Sequence, residues 1–182
     1  GKHSGEYFSL DDAARRKAGI PAIDKHIYAR ENGWAIAALT DLYMATGEKK
    51  YLDQARNAAE WIIAHRGTND GGYRHDEKDV AGPYLGDSAA MGRACLMLYT
   101  ATADRIWLKR AEQTADFIAK HFNYSPKPNV NAGFVTAASA SGVTSLPLLD
   151  ENVMVARFAN LLYQYTGRAS DKAICAQAMK YL

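Results

Sequence analysis

Cysteine is nearly absent, with two in 182 residues, and no Cys-x-x-Cys spacing occurs. That removes both a thioredoxin-type redox centre and a structural zinc site from this segment. Cys95 and Cys175 fall at apolar positions of helical patterns, where a free thiol packs as a small hydrophobe, and we expect them unbridged. Long apolar runs are missing too. Asp41, Arg93 and Arg157 interrupt the longest ones, so nothing approaches the ~20 residues of a membrane-spanning helix. Gly1 to Gly5 opens without the apolar stretch of a secretory signal, which leaves a soluble protein that is either cytoplasmic or exported after signal removal. Neither sign of charge dominates: 22 Lys and Arg face 20 Asp and Glu, a net charge of +2, and the two are interspersed. Such a surface lacks the footprint of a nucleic-acid or anionic-membrane partner. Gly-rich phosphate loops, Ser elbows and helical His-x-x-x-His pairs are also lacking. We therefore expect no metal and no cofactor, and no specific catalytic motif is present.

What the chain does contain is a repeat. Asn32 to Arg66 can be slid onto Ser88 to Phe122 so that Tyr43 meets Tyr99, Thr46 meets Thr102, Leu52 meets Leu108, Ala55 meets Ala111 and His65 meets His121. A third copy from Asn152 brings Tyr163 onto Tyr43 and Thr166-Gly167 onto Thr46-Gly47. Gly47 and Gly167 stand where a helix end favours the left-handed conformation, so each copy is predicted to be an αα-hairpin. The first helices, roughly 32–46, 88–102 and 152–166, each carry a single charge after the opening turn and expect protein on most sides. The second helices have one apolar stripe, such as Tyr51, Leu52, Ala55, Ala59 and Ile62, and one wet face. Two layers follow, either an inner and an outer ring or the two sides of a curved solenoid.

Polar turns with Gly and then an aromatic, 68–74 and 129–135, separate the copies. Strand is expected only as short pieces near 71–75 and 132–136. The link from Asn123 to Leu149 is longer than the ~12–15 residues usual for a structureless connection, so it is functional or mobile. Before the repeats, Ser9 is expected to cap a short helix over Leu10 to Ala18 that Gly19 and Pro21 close. The chain divides into a lead-in, 1–30, and a helical domain, 31–182, with helix pairs at 31–67, 87–122 and 151–182.

The string Tyr43-Met44-Ala45-Thr46-Gly47-Glu48-Lys49-Lys50-Tyr51-Leu52, followed by Ala55 and Gly71-Gly72-Tyr73, resembles the hairpin signature of six-hairpin glycosidase-like proteins. Asp24 to Tyr28 with Glu31 to Leu39 resembles the lead into the helical region of thioredoxin-domain-containing proteins of the YyaL and spermatogenesis-associated type. The resemblance implies an all-α fold in which three αα-hairpins form part of an (α/α)6-toroid. It also implies a longer parent chain, with a thioredoxin-like domain as a partner of this one. Leu182 falls inside a helical pattern with no cap, which points the same way.

In such toroids the starts of the inner helices line the concave face. The repeat puts an acidic and a polar residue there each time: Glu31-Asn32, Asp87-Ser88 and Glu151-Asn152. Glu31, Asp87 and Glu151 are the candidates for acid and base work on a glycosidic bond, or for accepting sugar hydroxyls. Asn32, Asn152, Tyr28, Trp34, Tyr84, His75 and Asp76 are the candidate ligand contacts, with a carbohydrate or similar polar ligand as the partner. His26 is the other histidine in a loop near that face. The competing role for the acidic pairs is capping, because carboxylates and Asn or Ser satisfy free N–H groups at helix starts. His65 and His121 suit the carbonyl ends of outer helices. No inner helix carries a histidine, which counts against epimerase chemistry of the helical-histidine kind. A protein-interaction scaffold is the alternative function.

Three hairpins of a six-hairpin ring leave the terminal inner helices short of a neighbour. Ile36 and Leu39 on the first and Val155 and Leu162 on the last would then be wet, a patch of a few hundred Å² or so. A two-fold homodimer, the lead-in segment or the rest of a longer chain would cover it. Light scattering is expected to detect self-association, and a monomer at high concentration with no such patch would count against a half ring.

Overall fold

The computed structural model describes residues 5–19, 23–78, 82–125, 127, 132–138 and 145–182. Eight helices occur among them: α1 (Glu6–Ser9), α2 (Asp12–Ala18), α3 (Ala29–Thr46), α4 (Lys49–Arg66), α5 (Leu85–Thr102), α6 (Arg105–His121), α7 (Leu149–Thr166) and α8 (Ala169–Met179). The hairpins α3–α4, α5–α6 and α7–α8 are the repeats seen in the sequence. Their inner helices start three residues earlier than the pattern suggested and end at the same three threonines.

Those threonines explain the sharp ends. Thr46, Thr102 and Thr166 each use the side-chain oxygen to accept a backbone N–H two residues on, from Glu48, Asp104 and Arg168. The residue in between adopts a left-handed conformation, with φ of 74° at Gly47 and 67° at Gly167. The chain thereby reverses and enters the outer helix at once. In the middle copy Ala103 takes this position at φ 57°, where a Cβ crowds the carbonyl.

Two layers form an arc. Inner helix α5 lies between α3 and α7, and α4, α6 and α8 back their own partners. The middle helix is buried almost all round, from Leu85 through Leu98 with only Arg93 reaching out. α3 approaches it so closely at Gly33 that a Cβ there would lie 2.8 Å from the backbone carbon of Ala90. Outer helix α6 buries one stripe, including Trp107, Leu108, Ala111, Ala115 and Ile118, as its spacing predicts. Cys95 is buried in this core and Cys175 is half-buried on α8; both are free.

Three expectations are corrected. Ile36, Val155 and Leu162 are fully buried, and Leu39 packs against the same core. A terminal inner helix still has one inner neighbour and its own outer helix, and these four side chains turn to those. The flank left open on α3 instead carries Trp34 and Leu42. Ser9 ends α1; Asp11 caps α2 by accepting the Ala14 N–H at 2.8 Å, Gly19 closes it, and Pro21 lies outside the described residues. The extended pieces after the outer helices are isolated antiparallel bridges, Gly67 with Tyr73 and Asn123 with Phe134, and none grows into a strand among the described residues. Among the described residues no helix is long and apolar enough to cross a membrane.

Replacing Ala103 by Gly removes the left-handed strain at the middle turn. The variant is expected to gain about 1 kcal/mol, read as a higher urea midpoint with an unchanged slope.

Candidate functional site

Inner helices start on one rim of the arc, and the residues just before them are Tyr28, Tyr84 and Leu148, all in extended conformation and none capping its helix through a side chain. The third helical residue of each is Glu31, Asp87 or Glu151, so the equivalence read from the repeat is real. Their environments differ. Glu31 is half-exposed and takes the Nε and Nη2 hydrogens of Arg30 on a single oxygen, at 3.1 and 3.0 Å. Asp87 is buried, and its Oδ1 accepts the Arg30 backbone N–H at 2.8 Å and pairs with His75 Nδ1 at 2.9 Å. Glu151 is buried too and accepts the Thr136 hydroxyl at 2.7 Å.

Capping therefore occurs, but across the repeat: Asp87 serves the first turn of α3, not of its own helix. The polar residues one place further on do a related job. Asn152 is fully buried and holds Phe134 by both backbone groups, accepting its N–H at 2.8 Å and donating to its carbonyl at 2.9 Å. Ser88 accepts the Tyr73 N–H at 3.3 Å. Asn152 is thus committed to the loop and does not line the cleft between the helix starts. Asn32 donates to the Tyr28 carbonyl at 2.8 Å.

Between these helix starts lies a cleft of about 270 Å³ lined by Arg30, His75, Tyr84, Gly86, Asp87, Thr136 and Glu151. Tyr28 stacks on His75 at 4.4 Å and Tyr84 meets the same imidazole edge-on at 6.0 Å, so the ring is clamped on both sides as well as by Asp87. Thr136 arrives on the long link: its carbonyl accepts the Leu85 N–H at 2.8 Å, which makes the described part of that link a wall of the cleft. Trp34 is half-exposed, lies under the Arg30 guanidinium at 5.3 Å, and does not line the cleft. Asp76 points away, pairing with Arg66 at 3.2 Å and with His26 at 3.6 Å. His26 is held by Asp24, which raises its pKa, while the His26 N–H foremost, with the Tyr28 hydroxyl, pulls Asp24 down to about 2.

The sequence pointed to Asp87 and Glu151 by the repeat, to His75 as a loop histidine and to Tyr84 as a neighbouring aromatic, and the cleft brings these four together. Arg30, Gly86 and Thr136 were not foreseen. Arg30 and Gly86 adjoin residues that were named, yet nothing local distinguishes them; Thr136 belongs to the link and reaches the cleft only through long-range hydrogen bonds. No group of three or more metal-ligating side chains occurs among the described residues. The arrangement offers carboxylates that accept, a guanidinium that donates, and an imidazole fixed by a buried acid, which is the equipment for holding polyhydroxylated ligands or for moving a proton.

The sequence model of the family described as ulvan lyase N-terminal domain matches residues 15–172. A comparison with curated proteins finds no significant match. Among solved structures, an α-mannanase of glycoside hydrolase family 76 from Bacteroides thetaiotaomicron superposes with a TM-score of 0.71 at 20% identity, over 88% of this chain and 45% of that one. Cellobiose 2-epimerase from Spirochaeta thermophila gives 0.69 at 14%, over 85% and 42%. An inactive variant of an α-1,6-mannanase from Salegentibacter, in complex with α-1,6-mannotetrose, gives 0.66 at 13%, over 85% and 46%. These neighbours have the six-hairpin α/α-toroid fold, so three hairpins of such a toroid are what this chain provides, and it spans less than half the length of each neighbour. The affiliation with thioredoxin-domain-containing proteins gains no support from these matches.

Burial holds the Glu151 pKa above the usual carboxylate value, against the lowering hydrogen bond from Thr136. A raised folded-state pKa gives a contribution that is complete below the unfolded pKa and lost as pH rises through the folded one. Glu151→Gln is therefore expected to raise the melting temperature by a few degrees at neutral pH and above. The gain should vanish below the ordinary glutamate range; a gain that grows on acidification would contradict the burial argument.

Proposed function

Because the chain belongs to the ulvan lyase N-terminal domain family, we propose that its rim cleft is a saccharide-binding site of a carbohydrate-active toroid. The observation that carries this is the convergence, in one cleft, of Asp87, Glu151, Arg30, Tyr84 and His75 from three successive hairpins. Carboxylates and a guanidinium satisfy sugar hydroxyls, and aromatic edges and faces cover the apolar side of a pyranose ring. The saccharide complex of the Salegentibacter mannanase supports the same use of the fold. Glu31 lies beside the site as the brace of Arg30, and Tyr28 as that of His75.

A catalytic reading is favoured by one feature. A lyase removes the proton next to a carboxylate and expels the glycosidic oxygen, which requires a base poised near neutral pH. His75, fixed at Nδ1 by buried Asp87, has the tautomer and orientation control such a base needs. The remaining hairpins of a closed ring would come from a longer chain, in which a thioredoxin-like domain is the further element that the sequence resemblance implies, or from a second copy.

Ulvan tetrasaccharide and α-1,6-mannotetraose are the probes. A bound oligosaccharide is expected to raise the melting midpoint, by about 2.7 kcal/mol of stability at a hundredfold excess over Kd, and Tyr84→Ala is expected to weaken binding about tenfold or more. In an active parent chain His75→Gln should lower kcat far more than it weakens binding. Absence of any saccharide effect, with capture of a peptide ligand on the same face, would favour an interaction scaffold.

A further inference from the structure

The second residues of the three inner helices are Arg30, Gly86 and Asp150. Glycine at that place is not demanded by the backbone, since Gly86 is not among the positive-φ residues, and helices generally favour alanine over glycine. Nor is it demanded by packing of the kind at Gly33, where a Cβ would meet the Ala90 backbone. A Cβ on Gly86 would instead lie 3.1 Å from Arg30 Cδ and 3.1 Å from Glu151 Oε1, with Arg30 Nη1 at 3.7 Å. Its close neighbours are the side chains of the first and third repeats, reaching toward each other across the floor of the cleft.

Arg30 does not have its whole fork to offer there. Nε and one Nη2 hydrogen are taken by Glu31, so the side-on edge is occupied and the end-on edge remains, with Nη1 on the Gly86 side as a donor. Opposite it stands a carboxylate. A donor on one side and an acceptor on the other match a hydroxyl, which accepts from one and donates to the other. A carboxylate or sulfate would suit a free guanidinium fork but would sit against Glu151.

We propose that Gly86 is a specificity-determining residue of the cleft: its missing side chain opens the floor so that an unsubstituted sugar hydroxyl reaches Arg30 Nη1 and Glu151 Oε1 together. This rests on the reading of the cleft as a saccharide site.

Calorimetric titration of the native chain, Gly86→Ala, Gly86→Leu, Glu151→Gln and Tyr84→Ala with ulvan tetrasaccharide and α-1,6-mannotetraose tests it, with thermal melts on every variant. Gly86→Ala displaces only flexible chain ends by a few tenths of an ångström, so it should fold normally and bind about tenfold more weakly, the loss of roughly one hydrogen bond. Gly86→Leu fills the floor and should bind at least as poorly. Glu151→Gln should weaken binding, because the hydroxyl loses a charged acceptor. Tighter binding by Glu151→Gln would place an anionic substituent over Gly86 and overturn the inference, as would native-like affinity in folded Gly86→Ala. In both cases a loss on Tyr84→Ala would leave the saccharide reading standing. If the native chain binds neither probe, the saccharide reading falls and this inference falls with it.

Discussion

A single buried carboxylate organises the rim. Asp87 Oδ1 accepts the Arg30 backbone N–H and pairs with His75 Nδ1, so one atom of the middle helix fixes the start of α3 and the loop that follows α4. A carboxylate in a protein interior is costly unless hydrogen bonds surround it. Here those bonds come from elements of another repeat, so the cost is offset only when the two hairpins are docked. Docking is helped by the close approach at Gly33 and Ala90, which brings the two helix starts within hydrogen-bond reach. The cleft is a consequence: once α3 and α5 are tied at their first turns, Arg30 is carried over Gly86 and the imidazole is set on the cleft wall.

The next residue along each helix repeats the principle in a weaker form. Ser88 and Asn152 reach back to the aromatic of the preceding link, Tyr73 and Phe134, and both rings are buried. Each hairpin thus grips the loop that precedes it, by a polar contact to backbone and a ring in the core. Asn32 occupies the corresponding place on the first helix. Its amide donates to the Tyr28 carbonyl, as that of Asn152 does to Leu148.

Much of this was legible in advance because helical repeats write themselves twice, once as apolar spacing and once as Thr-Gly turns. Tyr43, Tyr99 and Tyr163 fixed the register, and the helix ends at Thr46, Thr102 and Thr166 followed from local chemistry. What the sequence hid was direction. Spacing says that Glu31, Asp87 and Glu151 share a helix position, but the partner of each depends on the crossing of neighbouring helices. Capping was the local expectation, and it is met between helices. Asn152 looked like a ligand contact because it lies beside Glu151, yet one residue along a helix turns a side chain by about 100°, into the core. Thr136 could not be placed at all, since its link has no periodicity to orient it. The burial of Ile36 and Val155 likewise reflects which neighbours exist, and apolar patterning cannot tell one flank of an inner helix from the other.

The same point bears on how a repeated fold acquires a site. If the three copies were identical, the rim would present three equal acids, each half-exposed and each paired locally, with no cleft to distinguish. The differences are small in sequence: Arg, Gly and Asp at the second helical place, and Glu, Asp and Glu at the third. The long side chain in the first copy is braced by its own Glu31, the absent one in the middle copy leaves room for it, and the acid of the third copy is driven inward against Thr136. Shortening Glu to Asp in the middle copy is what lets the carboxylate stay at the backbone of α3 instead of reaching into the opening. Chemistry at this rim comes from the unlike residues set into a like scaffold. The shared residues supply the position, and the unlike ones decide which group faces a ligand and which is held within the fold.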